Sequence, residues 1–284
     1  MEDNSGLVST EWLAKHLSAP DVRVVDATYY LPGDPRDAKA EFASEHIPGA
    51  VFFDIDDIAD ESDDLPHMLP DPVKFSSRVR KLGLGDGNRI VVYDRQGMFS
   101  APRVWWTFRA FGHKDVAVLD GGLPKWKAES RPLDDHPGLP RERHFTARLN
   151  DLTVRDRTQM QRNLTNGREL VLDARSAERF RGEGAEPRPG LRSGHIPGSR
   201  SLPYSSLFDP DNGTLLPRDQ LKAKLTEAGV DYGKPVVTTC GSGVTAAILS
   251  LALELTGHRD HALYDGSWAD WGRPGDTPIA TGSE

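Results

Sequence analysis

Val236-Val237-Thr238-Thr239-Cys240-Gly241-Ser242-Gly243-Val244-Thr245 leads into an apolar run that ends at Leu255. Val236 to Thr239 are β-formers after Gly233 and Pro235, whereas Ala246, Ala247, Ile248, Leu249, Leu251, Ala252, Leu253 and Leu255 are apolar nearly all round and stop before Gly257. The stretch reads as strand, tight loop and buried helix. The chain's single cysteine falls where strand gives way to helix, in a loop whose glycines let backbone N–H groups turn toward one point. A helix N-terminus carries about half a positive charge and several unpaired donors, so it favours a thiolate at Cys240 or an anion bound over it. A buried structural cysteine is the more common use of an isolated thiol, and the strand-loop-helix setting is what weighs against it.

Outward from this stretch the chain repeats itself. Val24-Val25-Asp26-Ala27 returns as Val171-Leu172-Asp173-Ala174, and His46-Ile47-Pro48-Gly49 as His195-Ile196-Pro197-Gly198. The pairs Asp26/Asp173, His46/His195, Asp94/Cys240 and Trp126/Trp271 stand 147, 149, 146 and 145 positions apart. Near-constant offsets mean two copies of one domain. Each copy alternates short β-rich runs with helical stretches, which predicts an α/β fold: two tandem domains, each a mainly parallel sheet flanked by helices. In such sheets ligands bind beyond the carboxyl ends of the strands, where Cys240 falls. The expected division is 1–135 for the first domain, 136–150 for a linker in the proline-interrupted region between Arg131 and Asn150, and 151–284 for the second domain. The first copy has Asp94 where the second has Cys240, so it cannot perform thiol chemistry; the expected role of Asp94 is to cap the following helix.

Composition bounds the function. The 284 residues, 37% apolar, suffice for two ordinary domains. A net charge of −8 argues against nucleic acid as a partner, since neutralising phosphates needs surplus Lys and Arg. One cysteine cannot form an internal disulfide, which fits a reducing compartment. Met1 to Ser5 have neither a basic region nor an apolar core, and no run approaches a membrane span. The expectation is a soluble cytoplasmic protein without a membrane partner. No cofactor or metal is expected: the short histidine pair His258-Arg259-Asp260-His261 has no second cysteine to join it.

The residues resemble those of the two-domain rhodanese-like sulfurtransferases over essentially the whole chain. Phe42-Ala43-Ser44-Glu45-His46-Ile47-Pro48-Gly49-Ala50 is similar to that family's N-terminal signature, and Ala262-Leu263-Tyr264-Asp265-Gly266-Ser267-Trp268-Ala269-Asp270-Trp271 to its C-terminal one, with Asp270 where the family usually has Glu. The loop Cys240 to Thr245 resembles that of 3-mercaptopyruvate sulfurtransferases; thiosulfate-using rhodaneses carry Arg and Lys where this chain has Gly241 and Ser242. The resemblance implies sulfur transfer from 3-mercaptopyruvate through a Cys240 persulfide, with Gly241, Gly243, Val244 and Thr245 around the sulfur. It implies that Arg179 and Arg188 hold the donor, a role for which two-point guanidinium forks suit a planar carboxylate. It further implies a proton relay of Ser242, His67 and Asp56. The bland reading, in which His67 is a hydrogen-bonded interface histidine and Ser242 a loop hydroxyl, stands equally open. Thiols, thioredoxin-like dithiols and cyanide are all competent acceptors from a persulfide. Thiosulfate:cyanide transfer is the alternative chemistry. A cysteine phosphatase is disfavoured because Ala246 stands where a phosphate-binding arginine would be needed, and a non-catalytic binding module because the second copy keeps its thiol.

Overall fold

β-branched runs build the centre of each half of the molecule, in a computed structural model that describes residues 6–136, 138 and 140–283. Met1 to Ser5, on which the reading of the N-terminus rests, lie outside the described residues, as do Pro137 and Leu139 of the expected linker. The chain forms two compact units: Met1–Glu61 with Leu69–Leu149 and Asp209–Leu215, and Ser62–Met68 with Asn150–Phe208 and Leu216–Glu284.

In the first unit β1 (Leu7–Val8), α1 (Thr10–His16), β2 (Val22–Asp26), α2 (Ala38–Ser44), β3 (Val51–Phe52), α3 (Pro72–Lys81), β4 (Arg89–Tyr93), α4 (Ala101–Ala110), β5 (Val116–Leu119) and α5 (Gly122–Ala128) alternate. The second unit repeats the alternation with β6 (Val154–Arg155), α6 (Arg157–Asn166), β7 (Leu170–Asp173), α7 (Ala177–Arg181), β8 (Arg200–Ser201), α8 (Arg218–Glu227), β9 (Val236–Thr239), α9 (Ala246–Leu255), β10 (His261–Tyr264) and α10 (Ser267–Trp271). The sheets have orders β1-β5-β4-β2-β3 and β6-β10-β9-β7-β8, with every pairing parallel. Each unit is the expected parallel sheet flanked by helices. The two-residue strands at the sheet edges are too short to carry any alternation of their own. No helix among the described residues is long and apolar enough to cross a membrane.

In the second unit the chain leaves β9 toward β10 but leaves β7 toward β8 on the other side, so the crevice beyond the carboxyl ends of β7 and β9 is the topological switch point of the sheet. Register places Asp173 of β7 beside Thr239 of β9, which brings the segments after these two strands together. Packing holds the frame. All residues of α9 from Ala246 to Leu253 are buried, and burying Ile248, Leu249, Leu251 and Leu253 contributes of order 10 kcal/mol gross. A missing helix cap costs only about 1 kcal/mol. The N-terminus of α9 therefore stands without a side-chain cap from Thr245.

Candidate active site

Cys240 follows β9 directly and is buried. Its backbone is pinned on both sides by the turn that opens α10. The Cys240 N–H donates to Ser267 Oγ (3.3 Å), the Cys240 carbonyl accepts from Trp268 N–H (2.9 Å), and the Gly241 carbonyl accepts from Ala269 N–H (2.8 Å). A trans peptide carries its N–H opposite its carbonyl, so anchoring these carbonyls on α10 turns the Gly241 and Ser242 amides away from α10 and into the loop. Among the described residues the amides of Gly241, Ser242, Val244 and Thr245 find no protein acceptor. Gly243 takes φ +79°, a conformation glycine adopts without penalty, and closes the turn.

The first unit supplies an internal comparison. Asp94, at the position of Cys240, aims its carboxylate into its own loop: Oδ1 accepts from Gln96 N (2.8 Å) and Met98 N (3.1 Å), and Oδ2 from Ser100 N (2.9 Å) and Ala101 N (2.8 Å). It caps α4, as the sequence suggested. In the first unit the loop amides thus converge on a carboxylate of the chain itself.

Four charged residues converge on the crevice from the β7 side. Arg175, wholly buried, pairs with Asp173 through Nε and Nη2, donates from Nη1 to Glu186 Oε1 (2.9 Å), and lies 4.2 Å over the Trp268 ring. Glu186, whose side chain is 3% exposed, accepts from Arg179 Nη2 (2.6 Å) and Nε (3.3 Å). This series, two acids against two arginines, is neutral. Arg179 sits at its outer end, 24% exposed, and its guanidinium lies on the loop: a Cβ at Gly241 would fall 3.1 Å from Nη2. Arg181 pairs with Glu183, and Arg192 with the Thr277 side chain and carbonyls around it. Among the described residues Arg188 has no carboxylate partner; its Nη2 lies 3.5 Å from Nε2 of His67.

His67 belongs to the second unit because residues 62–68 pack there, held also by Asp64, whose carboxylate accepts from Arg273 (2.9 Å). It is buried, with φ +61°. Arg188 can only donate, so in this contact Nε2 of His67 is the acceptor. Thus Cys240, Ser242, Arg179, Arg188 and His67, all picked out from sequence, fall in one unit, with Ser242 buried two residues past the thiol. Asp56 belongs to the first unit, where its amide donates to the Asp54 carboxylate (3.1 Å).

Sequence reasoning missed three neighbours. Glu186 lies two residues before Arg188 but gives no signal of burial in the sequence. Tyr204 lies near enough to Cys240 and Arg179 to interact electrostatically with both; burial first, and negative charge at Cys240 second, push its phenol above the ordinary range. Ser267 is part of the C-terminal signature, and that signature was the available clue to its role. Asp270, the departure from the usual Glu, accepts from Tyr264 Oη (2.6 Å) and pairs with Arg157, so a carboxylate one methylene shorter still fastens α10. Among the described residues, the groups near enough to share a metal ion, Asp134, Asp135 and His136, lie in the first unit, largely exposed.

The model for the rhodanese-like domain matches residues 9–129 and 156–273. The human 3-mercaptopyruvate sulfurtransferase is 42% identical over 93% of this chain and 91% of its own. The thiosulfate sulfurtransferase of Gallus gallus is 41% identical over 93% and 92%. The crystal structure of SseA from Escherichia coli, described with the rhodanese fold and catalytic mechanism of 3-mercaptopyruvate sulfotransferases, superposes with a TM-score of 0.85 at 39% identity, covering 93% of this chain and 99% of SseA. With both copies matched and relatives of this identity along nearly its full length, the chain belongs to the two-domain rhodanese-like sulfurtransferases.

Proposed function

We propose that this protein takes sulfur from 3-mercaptopyruvate onto Cys240 and passes it to a thiol, a thioredoxin-like dithiol or cyanide, releasing pyruvate. The Cys240 thiolate attacks the donor's sulfur; an S–S bond forms as the C–S bond breaks, and the electron pair leaves with carbon as pyruvate enolate. A proton delivered to that carbon completes pyruvate. An acceptor nucleophile then attacks the outer sulfur of the persulfide, and Cys240 departs as thiolate. In both steps the amides of Gly241, Ser242, Val244 and Thr245, with Gly243 shaping the turn, stabilise charge on sulfur.

Arg188 and Arg179 receive the carboxylate and keto oxygens. Ser242 donates toward the keto oxygen as enolate character builds, and His67 relays the proton to it. We place the reaction in the cytoplasm, on the strength of a lone thiol suited to a reducing compartment.

The observation that carries the donor assignment is the charge balance. Arg175 and Arg179 are offset by Asp173 and Glu186, and Arg192 is turned onto Thr277 and backbone carbonyls, which leaves Arg188 as the cation that meets neither an acid nor a carbonyl among the described residues. One net positive charge suits a monoanionic α-keto acid better than thiosulfate, a compact dianion. Identity does not separate the two donors, since relatives named for each are 42% and 41% identical. The test is the intact mass of the protein after mixing with 3-mercaptopyruvate. One sulfur atom gained on Cys240 and lost on adding cyanide supports the mechanism; an unchanged mass refutes it.

A further inference from the structure

Ser267 opens α10 in a left-handed conformation, φ +49°, one of four described non-glycine residues with positive φ, and it is fully buried. A side chain in that region is strained, and such strain persists only where the surroundings hold it. Its Oγ donates to the Tyr264 carbonyl (2.8 Å) and accepts the N–H of Cys240 (3.3 Å). The donor and acceptor roles are consistent: the hydroxyl hydrogen is spent on Tyr264, leaving a lone pair for the amide.

The first unit shows what the same turn looks like without sulfur chemistry. Its counterpart residue is Gly122, φ +54°, and Leu123 N–H donates to the Asp94 carbonyl at 2.9 Å, as Trp268 N–H does to the Cys240 carbonyl at 2.9 Å. The other two contacts are lost. Gly122 has no hydroxyl, and Pro124 stands where Ala269 donates to Gly241, so no N–H exists there. A Cβ on Gly122 would fall 2.6 Å from the Asp94 carbonyl oxygen, so that loop has no room for a serine. Within one molecule the three-point clamp is complete where the loop carries a thiol and reduced to one point where it carries an aspartate. Glycine, free of strain in this conformation, serves the turn alone.

We propose that Ser267 is a positioning residue for sulfur transfer: it fixes the peptide plane before Cys240, and with Trp268 and Ala269 it sets the thiol and the loop amides in the arrangement that accepts sulfur. This rests on the reading of Cys240 as the sulfur carrier. Ser267 acts through the backbone of Cys240 and does not touch the donor.

The test is Ser267→Gly, which reproduces the first unit's turn and removes the hydroxyl and the strain together. Its unfolding midpoint is compared with wild type to establish that the fold persists. Single-turnover persulfide formation from 3-mercaptopyruvate should slow by about tenfold or more, as misplacement of a reacting group does, with KM for the donor unchanged. Alkylation of Cys240 by iodoacetamide at neutral pH, which needs no donor, should slow as well. Transfer and alkylation rates within twofold of wild type would overturn the proposal, leaving Ser267 a residue of the turn only. Ser267→Ala keeps a Cβ and the strain but lacks the hydroxyl; wild-type rates in that variant would overturn it equally. If wild type forms no persulfide while alkylation still depends on Ser267, the functional reading fails and the positioning role stands.

Discussion

Replacing Arg179 by lysine keeps the charge and removes the fork. In the structure Arg179 holds Glu186 through Nη2 at 2.6 Å and Nε at 3.3 Å, and the same Nη2 is its closest atom to Gly241. A lysine ammonium can retain one contact to Glu186, but it cannot hold Glu186 and a donor oxygen in one plane. A hydrogen bond to a charged group is worth about 1.5–3 kcal/mol, so losing one to the donor lowers kcat/KM roughly tenfold to 150-fold. Stability should change little, because the side chain is 24% exposed and its ion pair is correspondingly screened. Steady-state pyruvate release across 3-mercaptopyruvate concentrations gives kcat/KM, and a denaturant midpoint separates folding from function. A kcat/KM within twofold of wild type would return Arg179 to a purely structural ion pair with Glu186.

Cys240→Ser should abolish pyruvate release while leaving the unfolding midpoint in place; near-normal turnover would end the persulfide mechanism. Asp94→Asn replaces a carboxylate that accepts four amide hydrogen bonds with a group that turns an NH2 toward some of them, and should cost about 2–4 kcal/mol of stability, read from the denaturant midpoint; an unshifted midpoint would refute the cap. Burial, and then the charge at Cys240, raise the Tyr204 phenol against the opposing pull of Arg179. Its folded value lies above the unfolded one, so the stability linked to neutral Tyr204 is complete below about pH 10 and is lost as pH rises through the folded value. Cys240→Ser removes the charge and should move that ionisation down in a tyrosinate absorbance titration; coincident curves would put the two groups out of reach of each other.

The two domains were legible because the repeat is written at long range, in landmarks such as Asp26/Asp173 and Trp126/Trp271, and because Val236 to Leu255 change period within a few residues. Cys240 was legible from its place between a β-rich run and an apolar helix. Arg179 and Arg188 could not be told from Arg175, Arg181 and Arg192 by residue type. What separates them is what each one meets among the described residues: Arg175 is closed in by Asp173 and Glu186, Arg181 is paired with Glu183 and Arg192 with Thr277 and carbonyls, whereas Arg179 also lies on Gly241 and Arg188 meets His67, and these partners are assigned by the fold and not by spacing. His67 was assigned to the first domain by its place in the chain, yet residues 62–68 pack with the second unit, where Arg188 and Arg273 hold them. Ser267 lay in plain sight within a tryptophan-rich signature, but a left-handed φ at a serine leaves no trace in composition.

Sulfur transfer to cyanide, measured with 3-mercaptopyruvate and thiosulfate at equal concentration, tests donor choice most directly. Thiosulfate calls for cationic side chains beside the thiol, whereas the loop offers Gly241 and Ser242, and Arg179 is already balanced by Glu186. The keto acid should be favoured by more than about tenfold, which corresponds to 1.4 kcal/mol in transition-state binding. Gly241→Arg combined with Ser242→Lys should move the ratio toward thiosulfate. Equal or better use of thiosulfate by the wild-type protein would contradict the assignment of 3-mercaptopyruvate as donor.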